Sequence, residues 1–190
     1  MSAAVEVYNR CVTALKEERF EDALSLANEA KALDPAFPHV HLATGIALAG
    51  LRRYPEAVDA LLDAVEADPQ SAVAHSHLGN AFEQLGMYEE SIDAGEAMLI
   101  LGADRSSTLS NMVYQAARIC DWSRQRDIQR RLDAHLDRGG VNNMAPFQAL
   151  VSGASRARQH EAARNYFQRN WGNIEPMKKP GARPGEGSSR

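Results

Sequence analysis

Six histidines, two cysteines and a run of arginines are the side chains in this chain that could do chemistry. His39-Val40-His41 and His75-Ser76-His77 look at first like metal-ligand pairs. On a helix, however, residues two apart point about 200° from one another, so neither pair shares a face. His135 and His160 have no cysteine or carboxylate cluster beside them, and no metal site is expected. Cys11 and Cys120 lack a local histidine that could activate a thiolate. They read as free thiols of a reducing, cytoplasmic compartment. No catalytic residue and no cofactor is expected, so these residues do not read as an enzyme. What remains is hydrogen-bonding chemistry. Asn9, Asn80 and Asn111 carry amides, each both donor and acceptor, which can pair with a peptide unit whatever its side chain.

The elements that position those amides follow from composition and pattern. The chain has 190 residues, 44% of them apolar and 24% charged, which suits a folded soluble chain and excludes a disordered or collagen-like one. A net charge of −4 argues against a nucleic-acid partner. Mean hydropathy is −0.41, and no apolar run reaches the ~18–20 residues that cross a bilayer, so no membrane span is expected. The first residues show no export signal.

The sequence repeats with a period of 34. Asp34-Pro35 returns as Asp68-Pro69, and Phe20, Tyr54, Tyr88 and Trp122 form an aromatic series at the same step. Ala23, Ala57 and Ser91 follow three residues behind the aromatics, and Gly45 and Gly79 are a further pair. The frames are 4–37, 38–71, 72–105 and a degenerate 106–122. Each full frame holds two apolar-periodic segments of helical length joined by a short turn. The small residues let helix axes approach, and the aromatic fills the bend. Asp-Pro ends each second helix, because the residue before proline avoids the α region. One hairpin cannot bury its apolar face alone, but stacked hairpins bury a continuous core.

This pattern resembles the tetratricopeptide repeat. The resemblance implies an all-α fold: a solenoid of about three to four helical hairpins, then a helical linker and a flexible tail. The first helices would line a concave groove that binds proteins or extended peptide segments. Its inward positions are Tyr8, Asn9 and Val12; Leu42, Ala43 and Ile46; Ser76, His77 and Asn80; and Ser110, Asn111 and Tyr114. The solenoid's open ends also allow self-association.

After the repeats, residues 123–138 suit one helix, capped by Ser123. Ile128, Leu132 and Leu136 lie on one face, and Arg124, Arg126, Arg130 and Arg131 on a solvated one. Gly139-Gly140 stops it. Pro146 opens a short helix, and a last helix ends near Trp171-Gly172. Residues 123–171 are read as the linker. Residues 172–190, rich in proline and glycine, read as a flexible tail.

The order Cys120-Asp121-Trp122, charged helix, Pro146-Phe147 and short helix resembles the repeat-to-catalytic linker of protein O-GlcNAc transferases and SPINDLY-like glycosyltransferases. That likeness implies the non-catalytic, substrate-recruiting front part of such an enzyme, with the catalytic domain absent from these residues. In that family, groove asparagines hold the substrate backbone. The matching positions here are Asn9, Ala43, His77 and Asn111. The alternative is a stand-alone adaptor with no link to sugar transfer.

Overall fold

The computed structural model describes residues 2–35, 37, 39–142, 144–151 and 153–172, with the backbone alone for Val151 and Trp171. The expected tail, 173–190, lies outside the described residues. Within them are ten helices and no strand. Four hairpins come first: α1 (Ala3–Lys16) with α2 (Phe20–Leu33), α3 (Val40–Gly50) with α4 (Tyr54–Ala67), α5 (Ala72–Leu85) with α6 (Tyr88–Ile100), and α7 (Arg105–Arg118) with α8 (Trp122–Asp137). Each second helix also packs on the first helix of the next hairpin. A short α9 (Pro146–Val151) and α10 (Arg156–Trp171) close the array, with α9 against both α7 and α10. This is the all-α solenoid that the repeat implies. No described helix is long and apolar enough to cross a membrane.

The period of 34 is written into the backbone. Glu18, Arg52, Gly86 and Cys120 stand 34 apart, and all four have left-handed φ, from 56° to 76°. Each follows a first helix and makes the same pair of bonds. Glu18 N donates to Leu15 O at 3.1 Å and Arg19 N to Ala14 O at 2.9 Å, and the other three turns repeat this with shifted numbers. This is the Schellman ending, which satisfies carbonyls that a helix terminus leaves open. The four aromatics are the first residues of α2, α4, α6 and α8.

Helix approach follows the small residues. A Cβ on Gly45 would sit 2.5 Å from Leu61 Cγ, and Leu61 is fully buried, so the contact admits only glycine. Cys11 Sγ donates to Ala23 O at 3.2 Å, and Ser91 Oγ to Gly79 O at 2.8 Å, at equivalent places in their hairpins.

Three expectations need correction. Asp121, not Ser123, caps α8, accepting from Arg124 N at 2.9 Å, because the helix begins one residue earlier at Trp122. Trp122 is 55% exposed rather than core. The helix after it in the stack, α9, has six residues where α3 has 11, too short to cover the ring as α3's Gly50 meets Phe20. The arginines of α8 are not simply a solvated face. Arg131 forms a bidentate pair with Glu96 of α6, at 2.6 and 2.8 Å, and Arg124 pairs with Asp93. The Arg131 guanidinium holds the Glu96 carboxyl below the usual carboxylate range.

Buried packing is continuous on the two sides of Trp122. Ile128 and Leu132 of α8 share one buried core with Ile92, Leu109 and Met112, and that core runs on through Met144, Ala149 and Ala162. Arg158 of α10 pairs with both Asp133 and Asp137 of α8. Buried Asn142 braces the same region. Its side-chain amide donates to Arg158 O at 3.0 Å, and its main-chain carbonyl accepts from Asn165 Nδ2 at 3.0 Å.

A left-handed residue other than glycine carries a steric penalty of roughly 1–2 kcal/mol, part of which a glycine returns as chain entropy. Cys120→Gly is therefore expected to raise stability by about 0.5–1 kcal/mol, and Gly86→Ala to lower it by about 1 kcal/mol. Urea unfolding followed by circular dichroism measures both.

Candidate functional site

The side-by-side first helices present the predicted groove residues unevenly. At the α1 end, Tyr8 is half-buried and its ring lies 5.1 Å from Phe37 and 6.0 Å from His39. Burial pushes the Tyr8 phenol up from its ordinary pKa. Asn9 is exposed, while Val12, Leu42 and Ile46 are half-buried and Ala43 is buried. This end of the groove is therefore mainly apolar.

The α5–α7 end is polar and concave. Between α5 and α7, over a floor of α6, lies a cleft of about 250 Å³. Ser76, Asn80 and Asn111 line it, which brings together three of the predicted residues from two helices. Tyr8, Asn9, Val12, Leu42 and Ile46 do not reach it, and neither does His77. Ser110 faces elsewhere: it is buried, donating to Ser107 O at 3.1 Å and to Gln148 Oε1 at 3.3 Å. Asn111 accepts from Gln148 Nε2, and Tyr114 meets Phe147 edge-on at 6.1 Å. Helix α9 thus sits against α7 where a further first helix would stack, and closes that end of the groove.

Five polar lining residues, Glu83, Ser91, Ser107, Thr108 and Gln115, were not expected in the site from the sequence, and three of them are linked. Gln115 Nε2 donates to Glu83 Oε2 at 3.1 Å and to Ser91 Oγ at 2.8 Å. Ser91 Oγ in turn donates a hydrogen bond to Gly79 O at 2.8 Å. A signal existed for two of them. Gln115 occupies the repeat position of buried Ala47 and Ala81, and Ser91 that of buried Ala23 and Ala57. Two polar residues at small-residue positions of adjacent helices mark a buried network.

The histidines have structural neighbours. His41 Nδ1 lies 3.3 Å from Asp63 Oδ2, and His75 Nε2 lies 3.2 Å from Pro69 O. Burial pushes the Cys11 thiol up, whereas Cys120 is exposed at its turn.

The tetratricopeptide repeat family model matches residues 8–72 and again 42–107, together more than half of the chain. The chain belongs to the tetratricopeptide repeat family. No curated protein matches it. Among solved structures, MamA from Desulfovibrio magneticus RS-1 is similar at 18% identity, over 73% of this chain and 78% of that one, with a TM-score of 0.63. The first repeat domain of Spaghetti (RPAP3), bound to the HSP90 peptide SRMEEVD, is 18% identical over 62% of this chain and 93% of that one, TM-score 0.58. The Sgt2 repeat domain from Aspergillus fumigatus is 18% identical over 65% and 83%, TM-score 0.57. At such identities the shared property is the fold.

Two measurements check the local chemistry. Burial holds the His77 imidazole below its ordinary value of 6.5. The unfolded chain then takes up that proton more readily than the folded one. Stability is present above 6.5 and falls as pH drops through the folded-state value. His77→Gln should flatten this loss just below pH 6.5, above the range where Glu96 titrates. A thiol reagent at neutral pH should modify Cys120 promptly and Cys11 only on unfolding.

Proposed function

We propose that this tetratricopeptide repeat protein is a protein-recognition module, holding an extended peptide segment along the inner surface of its first helices. The observation that carries this reading is the α5–α7 cleft, where Asn80 and Asn111 face a shared space from two adjacent helices. Amides on opposite walls can each donate to and accept from a peptide unit, so the backbone of a bound segment is held without regard to its sequence. The apolar stretch of Val12, Leu42 and Ile46 gives the same segment a place to bury side chains. The peptide-bound structure of a protein with the same fold supports the reading.

A narrower proposal concerns parentage. The ordered series of Cys120-Asp121-Trp122, α8, Pro146-Phe147 and α10 favours a substrate-recruiting part of an O-GlcNAc transferase-like enzyme over a free-standing adaptor. Reading the source gene past the Arg190 codon separates the two. An open frame into an α/β domain supports the transferase, and an immediate stop supports the adaptor.

The groove assignment has a direct test. Titration of the protein with labelled unfolded polypeptides should show saturable binding, and Asn80→Ala and Asn111→Ala should each weaken it by about five- to tenfold. Asn9→Ala, further from the cleft, should weaken it less. Equal affinity in all three variants would place binding outside the groove.

A further inference from the structure

The polar atoms of the α5–α7 cleft are spent in an asymmetric way. Both amide hydrogens of Gln115 are engaged, one by Glu83 Oε2 and one by Ser91 Oγ. The Ser91 hydroxyl proton goes to Gly79 O. Gln115 Oε1 is buried with no hydrogen-bond partner. What the network leaves unused is therefore acceptor capacity, and its donors are consumed.

Glu83 is the one charged residue among those lining the cleft. It is half-buried, makes one hydrogen bond from a neutral amide, and has no ion-pair partner among the described residues. A carboxylate partly removed from water and left without a cation is an unfinished electrostatic arrangement. The floor supplies the other half of a cationic side-chain site: half-buried Met98 of α6 lines it with flexible apolar surface suited to a methylene stem. An anionic group would meet the Glu83 carboxylate, with no lysine, arginine or histidine in the lining.

We infer that the α5–α7 cleft is a pocket for a lysine or arginine side chain of the bound segment, with Glu83 as its counter-ion. The inference rests on the peptide-groove reading above and specifies its partner. Asn80 and Asn111 line the same cleft, so the backbone that carries the cation has amides to pair with beside the pocket. An ammonium group carries three donors and no acceptor, and a guanidinium five and none, which suits the Glu83 carboxylate as an acceptor with capacity to spare. The recognised segment is thus basic at this point and apolar toward α1, where Val12, Leu42 and Ile46 lie.

The test uses the whole 190-residue protein. Degenerate nine-residue peptide pools, with the central position fixed as lysine, methionine or glutamate, are titrated by fluorescence anisotropy at low and high salt. The lysine pool should bind roughly tenfold tighter than the glutamate pool at low salt, and severalfold tighter than the methionine pool. The margin should narrow as salt screens the pair. Glu83→Gln should bring the lysine-to-methionine ratio to about one, and Asn80→Lys, which sets a cation at the mouth, should push it below one. Circular dichroism confirms that each variant is folded, and the two act at different places, so loss of one to misfolding leaves the other decisive. An unchanged ratio in a folded variant, or equal binding of lysine and glutamate pools, overturns the cation pocket. If the pools bind equally yet Asn80→Ala weakens all of them, the groove stands and the pocket alone falls. If no pool binds the wild-type protein, both fall.

Discussion

The structure depends on a reversal of the chain every 34 residues. At Glu18, Arg52, Gly86 and Cys120 one left-handed residue turns a first helix into a second one and satisfies the carbonyls at the helix end. Three of the four positions carry a side chain in a backbone region that side chains disfavour, so packing must hold them there. The hold comes from the hairpin itself. Close contacts such as Gly45 against Leu61 set the two helices at one distance, and Phe20 at the start of α2 lies where a side chain on Gly50 of α3 would be. With turn and spacing fixed, each hairpin presents one apolar flank to the next. The solenoid is that flank repeated.

The groove follows from the same constraint. Stacking places first helices next to first helices, so residues 34 apart become neighbours across the inner surface. Where those residues are bulky and apolar, as at Leu42 and Ile46, the surface is a shallow greasy strip. Where they are small or polar, as at Ser76, Gly79 and Ser107, the helices leave a cleft. The Gln115–Ser91–Glu83 network gives that cleft its chemical sign, by using its donors internally and leaving acceptors over. Recognition in this protein is then a consequence of which repeat positions depart from the small apolar consensus.

Much of the fold was legible because the repeat writes each feature several times. Gly45 and Gly79, Ala23 and Ala57, and the aromatic series all report one geometry, so the hairpins follow from counting. The fourth hairpin was less legible. The arginines of residues 123–138 read as a solvated face, yet Ile128, Leu132 and Leu136 anchor α8 while Arg124 and Arg131 find carboxylates on α6. Those pairings link residues some 30 positions apart, which local periodicity does not register. The candidate site was half legible. Asn80 and Asn111 follow from the repeat frame, but Ser110 turns inward toward α9, a contact that no spacing rule contains. Gln115 was visible only as a polar residue at an alanine position, and Glu83 only through its contact with Gln115.

The central claim is that the α5–α7 cleft is where this protein holds its partner. Backbone amide NMR spectra, recorded during titration with a saturating basic peptide, test it most directly. The account predicts shifts concentrated in residues 76–83 of α5 and 107–115 of α7, with smaller changes at 42–46 of α3. Shifts confined to the outer surfaces of α2, α4 and α6, or to the exposed residues of α9 and α10, would contradict it.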